Sequence, residues 1–318
     1  MKDITQKDFF TKDERFADLM NGVCFGGRKV VKAEELISVP ESVRKADEVT
    51  ILERVCDVVK KQTVDGTAYA IYVLENQETV DYRMLVRIML EESLGYDAQT
   101  KQMAEGHAEG REKKTLAAGE YLYGFHKTDR LTPIYTVVLY WGEKEWDGAT
   151  SLRELVEIPE KDEELRKAML SMLPDYKIKV YDLNREHDFT AFGTMLRTVF
   201  EFCSRQNDGI AMKEYMDTHR EEVKSLDRES RFFLSKMLGM KKWEKAMGMK
   251  NMNKEEGKAE EDTDMCKAIE ELIEMGRQEG IECGRKEMKE KIVLLEQEIE
   301  RLKKQQGNAY KQAGRTFE

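Results

Sequence analysis

Histidine and cysteine are scarce in this chain, with four of the first and five of the second among 318 residues. Cys24, Cys56, Cys203, Cys266 and Cys283 show no CxxC spacing and the histidines are dispersed, which argues against a structural zinc site and fits reduced thiols in a cytosol. No stretch approaches the roughly 20 apolar residues of a membrane span, and no apolar run follows a basic start at the N-terminus. The expectation is a soluble, unexported, cytoplasmic protein with no membrane partner. Positive charge is also short, the formal net charge being −10. Affinity for nucleic acid rests largely on phosphate neutralisation, so this balance argues against a general polyanion binder.

The deficit is unevenly spread. Much of the acid lies in the last third, around Glu255 to Asp264 and Glu270 to Glu300. Earlier come basic clusters that could line a phosphate-facing cleft: Arg28 with Lys29, Arg44 with Lys45, Lys60 with Lys61, Arg83 with Arg87, and Arg111 with Lys113 and Lys114. Hydrophobic residues make up 40% and charged residues 36%, the latter well above the roughly 25% of an average globular domain. One main core with long solvated helices accounts for both figures. The expected division is a main α/β domain over 1–185, a helical extension over 186–250, an acidic linker over 251–264, a coiled-coil-like helical tail over 265–306 and a disordered end over 307–318.

Thr11-Lys12-Asp13-Glu14 has the form of a capping box and predicts a helix to about Asn21, with Phe16, Leu19 and Met20 inward. Two runs rich in Val, Ile and Tyr, Arg54 to Lys61 and Thr67 to Gln77, flank Asp65-Gly66, a strong hairpin signal. Asp81 is placed to cap a helix over Tyr82 to Leu94, with Leu85, Ile88 and Met89 on one face. Gly106 to Lys114 reads as a loop or frayed helical end. Ile134 to Tyr140 is a nearly continuous apolar run, as in a strand covered on both faces, and Tyr176 to Leu183 reads as another short strand. A helical pattern follows from Phe189 to about Lys245, with a stripe of Phe192, Leu196, Val199, Phe200 and Cys203. In the tail, Ile292, Leu295, Ile299 and Leu302 are spaced as in a heptad seam, after glycines at 276, 280 and 284.

Asp57, Glu75 and Gln77 are the candidates for chemistry. Counting back from the Asp65-Gly66 turn puts Asp57 roughly opposite Leu74 or Glu75. Glu75 and Gln77 share a face by the period of two, and Asp57 joins them only if the loop has an odd count or the pair carries a bulge. Two carboxylates on neighbouring strands suit Mg²⁺, which binds through one or two carboxylates and keeps positions for water and a substrate oxygen. Lys60 or Lys61 could supply nearby positive charge. The plainer alternative is that these are solvated strand residues, since Glu-x-Gln is common.

The order Asp13-Glu14-Arg15-Phe16, Asp57-Val58-Val59-Lys60, Leu74-Glu75-Asn76-Gln77 and Met84-Leu85-Val86-Arg87 resembles the Rpn family of recombination-promoting nucleases and YhgA-like transposases, within the PD-(D/E)XK superfamily. Val137 to Gly142 followed by Trp146-Asp147-Gly148 is similar to a strand and turn of the same family, so that the likeness runs from roughly Asp8 to Leu183. The resemblance implies a PD-(D/E)XK-like mixed sheet flanked by helices, and a DNA endonuclease dependent on Mg²⁺ or Mn²⁺ in which Asp57 and Glu75 hold the metal. It makes Asp13 the matching position for a further acid from the first helix. Gln77 stands where the superfamily often has Lys, which removes a water-orienting cation and leaves that part to Lys60. Arg87 and Lys61 would contact DNA phosphate.

Bland readings stand beside these. Asp13 also suits a helix N-terminus through the macrodipole, Glu14 a capping box, Arg87 a surface ion pair, and Trp141 and Trp146 packing of the turn. The tail predicts a homo-oligomer. The competing function is a weak or inactive nuclease-fold protein serving as an oligomeric interaction module, which the negative charge and Gln77 favour.

Overall fold

The computed structural model describes residues 2–38, 56–109, 116–185, 188–239 and 267–313. It is an α/β protein built on one five-stranded mixed sheet flanked by helices, with a long C-terminal helix. Two helices come first, α1 (Lys2–Phe10) and α2 (Asp13–Phe25), followed by a short strand β1 (Leu36–Ser38). The hairpin β2 (Val58–Val64) and β3 (Thr67–Gln77) turns at Asp65-Gly66 as expected. Both turn residues take positive φ, 49° and 77°, the backbone that two-residue hairpin loops require and that glycine adopts without strain.

Helix α3 (Met84–Glu109) then leads to α4 (Ala118–Tyr123) and β4 (Ile134–Tyr140), which lies parallel to β3. The Asp81 carboxylate accepts from the Arg83 amide, as its capping position predicted. After α5 (Leu152–Leu155) and α6 (Glu163–Met172), strand β5 (Lys179–Asp182) completes the sheet in the order β1-β2-β3-β4-β5. Its first three strands are antiparallel and its last two parallel to β3.

Alternation along β4 divides the interior. Val137 and Leu139 join the larger core with Phe9, Phe10 and Phe16 of the first two helices, whereas Val138 and Tyr140 meet Met84 and Ile88 of α3 and Trp146 on the other face. Helices α7 (Leu196–Ser204), α8 (Gly209–Thr218), α9 (Arg220–Ser225) and α10 (Arg228–Leu238) contribute Phe200, Met212, Val223 and Phe233, in that order, to the same larger core. The segment expected as a helical extension therefore packs as part of the sheet's own core. Its predicted stripe of Phe192, Leu196, Val199, Phe200 and Cys203 is buried throughout.

Several boundaries differ from expectation. Helix α1 carried too little apolar periodicity to be read from sequence. The N-cap of α2 is Lys12, whose side chain makes no capping bond, and the Thr11 hydroxyl donates instead to the Asp8 carbonyl, so no capping box forms. Helix α3 extends past Leu94 to Glu109, taking in part of the predicted loop. The linker expected over 251–264 lies outside the described residues.

The tail is one helix, α11 (Lys267–Ala313), of 47 residues and about 70 Å at 1.5 Å per residue. Its first turns are docked: Ile269 is buried, Leu272 and Ile273 pack on the core, and Glu271 accepts from the Gly209 amide at the start of α8. Farther along, Ile292 and Leu295 are exposed. The side chains of Ile299 and Leu302 lie outside the described residues. No described helix is long and apolar enough to cross a membrane.

Candidate metal centre

A bulge in the hairpin brings the two carboxylates into register. Val64 pairs with Thr67 and Thr63 with Ala68, but Gln62 pairs with Ala70, so one extra residue of β3 is passed over and every later pair shifts by one. The ladder reaches Val58 opposite Leu74, and Asp57, one residue beyond, comes level with Glu75. Asp57 and Glu75 line one cleft of about 410 Å³ with Gln6, Lys7, Asn76, Gln77, Glu78 and Arg87. The odd offset that a shared site needed is thus present.

Asp57 is held from behind. Its Oδ2 accepts from the Asn76 backbone amide at 2.7 Å and from the Asn76 side-chain amide at 3.2 Å, while Lys7 Nζ stands 3.5 Å from Oδ1. Asn76 is itself oriented by Trp141, whose indole N–H donates to Asn76 Oδ1 at 3.0 Å. A chain of three side chains therefore sets one carboxylate, and its middle member was not identified from the sequence.

Glu75 is only 1% exposed. Its Oε2 accepts from Arg87, whose Nε also donates to Glu91 at 3.1 Å one turn farther along α3. Its Oε1 is buried with no hydrogen-bond partner among the described residues. Burial, with the nearby Glu91 and Asp57 charges, pushes the Glu75 carboxyl up to about 8, although Arg87 and the Asp57 backbone pull the other way. Ligand atoms of Cys56, Glu75 and Glu91 all lie within 4.8 Å of one another. Glu91 went unread because only the docking of α3 on the sheet brings it to Glu75.

Lys60 does not belong to the cleft. It stands opposite Tyr72 on the sheet face that meets α1 and α2, is 2% exposed, and donates to the Thr11 carbonyl at 2.7 Å and to Asp13. Side chains one residue apart along a strand point to opposite faces, and Lys60 is an odd number of residues from Asp57. Asp13 is correspondingly taken up by Lys60, away from Asp57 and Glu75. Lys61 is paired with Ile71, four residues before Glu75 on β3, and does not line the cleft. Trp141 and Trp146 are buried and pack the strand and turn.

The basic lining expected from the clusters is not found among the described residues. The cations lining the cleft are Lys7 and Arg87, each beside an acid, against the three carboxylates of Asp57, Glu75 and Glu78. Arg83 faces Asp81 at 3.4 Å, while Arg44, Lys45, Arg111, Lys113 and Lys114 lie outside the described residues. Acidic side chains thus outnumber basic ones along the cleft, three to two.

Comparison of the chain with protein-family models, with curated proteins and with solved structures finds no match.

Proposed function

We propose that the protein is a DNA endonuclease of the PD-(D/E)XK type dependent on Mg²⁺ or Mn²⁺, similar to the Rpn nucleases. The observation that carries this is the pair Asp57 and Glu75 on one cleft, with a buried Glu75 oxygen that has no hydrogen-bond partner among the described residues. A buried unpaired acceptor costs about 1–3 kcal/mol, and more if charged, a cost that a cation ligand would remove. The chain order of helix, antiparallel strands, crossover helix and parallel strand also agrees with the architecture that the resemblance implies.

Asp57 and Glu75 would hold the ion. Bound there, a divalent cation lowers the pKa of a water and offsets charge developing on a phosphate. The remaining work falls to the chain. Asn76 and Trp141 keep Asp57 turned to the cleft, so little ordering is left to be done on binding. Arg87 holds Glu75 in place and is suited to donate to a phosphate oxygen in charge-assisted hydrogen bonds. Lys7, rather than Lys60, is the second cation at the cleft. Gln77 lines the cleft as an uncharged amide, able to orient water or substrate by hydrogen bonding but not by charge.

DNA is the proposed substrate, and a second copy of the chain the proposed partner of α11. The test is Mg²⁺-stimulated nicking of supercoiled plasmid by wild type, Asp57→Ala and Glu75→Gln. The expected result is a loss of at least about 100-fold in both folded variants. Equal nicking by all three would identify a contaminant and overturn the proposal, leaving the oligomeric interaction module, which the acidic cleft and its paired cations would then favour.

A further inference from the structure

Two of the four histidines, well separated in the sequence, meet in space. His107, in the last turn of α3, stacks on His126, in the loop after α4, with ring centroids 3.7 Å apart and planes within 16°. Asp129 closes the group: its two carboxylate oxygens lie 2.9 and 3.1 Å from His107 Nε2, and its Oδ2 accepts from the His126 backbone amide at 2.7 Å. One ligand atom from each of the three lies within 4.8 Å of the others. The dispersion of histidine along the chain had argued against such a cluster, but the return of the chain through α4 reverses it.

We propose that His107, His126 and Asp129 form a binding site for a transition-metal ion, Zn²⁺ or its borderline relatives, separate from the Asp57–Glu75 cleft. Imidazole nitrogens suit Zn²⁺, Co²⁺ and Ni²⁺, whereas Mg²⁺ prefers oxygen, so the two sites differ in the ions they select. Zinc bonds of about 2.0–2.1 Å in a tetrahedron place ligand atoms roughly 3.3 Å apart. The His107–Asp129 contact therefore opens by a few tenths of an ångström to admit an ion, and His126 swings in. Neighbouring groups prepare the carboxylate. The His126 backbone amide donates to Asp129 Oδ2 and fixes its orientation. Glu120 fixes the loop by accepting from the Ala117 and Lys127 amides at 2.9 and 3.0 Å. His107 remains about one-third exposed, which leaves a route for the ion and a position for water.

The ion would pin the end of α3 to the segment leading into β4. It would also fix α4, which presents Tyr121, Leu122 and Tyr123 to solvent. The role is structural, and it stands whether or not the chain cuts DNA.

Tag-free, full-length protein is titrated with Co²⁺ in excess Mg²⁺, which occupies oxygen-only sites. The expected result is one equivalent bound with a weak visible d–d band and no sulfur charge-transfer band. His107→Ala and His126→Ala should weaken that binding by more than the roughly 10–100-fold typical of losing an outer-shell partner. His219→Ala, at a histidine bonded to Thr218 and the Tyr215 carbonyl and stacked on the Tyr215 ring, should bind like wild type. Far-UV circular dichroism establishes that the variants are folded. No stoichiometric binding by wild type, or binding unchanged in both folded alanine variants, overturns the proposal. A charge-transfer band would place the ion on a cysteine thiolate and overturn it equally.

Discussion

Arg87 donates to one oxygen of Glu75 while the other oxygen of the same carboxylate is buried with no hydrogen-bond partner among the described residues. The guanidinium satisfies half of the group and cannot keep it ionised against burial and the neighbouring Glu91 and Asp57 charges.

The consequence for stability follows from the direction of that shift. Unfolded, Glu75 ionises near its ordinary 4.5; folded, it keeps its proton up to about 8. The folded state therefore has this contribution in full below about 4.5 and loses it as the pH rises to about 8. Between about pH 5 and 9, wild type should lose about 4 kcal/mol relative to Glu75→Gln, as read by denaturant titration. Excess Mg²⁺ should restore wild type at the alkaline end and leave the variant unchanged. Parallel pH profiles for the two proteins would show that Glu75 titrates normally.

Asn76→Ala removes the side chain that links Trp141 to Asp57 but leaves the backbone amide that also bonds Asp57. A supporting partner of this kind is worth about 10–100-fold in metal affinity or activity. The expected effect is a higher Mg²⁺ concentration for half-maximal nicking, with the rate at saturating Mg²⁺ falling less. An unchanged Mg²⁺ dependence would mean that the backbone alone positions the carboxylate.

Lys60→Met keeps the buried stem and deletes the charge that meets Asp13 and the Thr11 carbonyl. Loss of these bonds should cost about 1–3 kcal/mol in thermal or denaturant unfolding. Because Lys60 lies on the face away from Glu75, nicking by the folded variant should stay within about 3-fold of wild type. Abolished cleavage in a folded Lys60→Met protein would return this lysine to the site.

Ile292 and Leu295 lie on a helix of 47 residues whose apolar positions there find no cover among the described residues, both being about half exposed or more. Heptad spacing of such residues suits a second helix of the same kind. Ile292→Asp combined with Leu295→Asp should shift sedimentation from dimer to monomer. A wild type already monomeric at tens of micromolar would exclude self-association through α11.

How much of this was legible depended on how far apart the deciding residues stand. The Asp65-Gly66 turn, the strand over Ile134 to Tyr140 and the helix beginning after Asp81 each rest on chemistry within a few residues, and each formed. Asp57 and Glu75 were readable as a pair because one tight turn joins their strands. The bulge at Gln62, which decides that they meet, carries no comparable signal. Lys60 could be assigned to the wrong side because a shift of one residue exchanges the faces of a strand.

The amino-acid sequence by itself determined the hairpin, the α/β alternation, the solvated tail and the two strand carboxylates, since turn geometry and hydrophobic period act locally. Tertiary structure alone decided which acids and cations share the cleft, that Lys60 serves the core beneath Phe16, and that His107 meets His126. Those outcomes come from helices docking on opposite faces of a sheet, and such contacts join residues whose separation along the chain bears no relation to their distance in space.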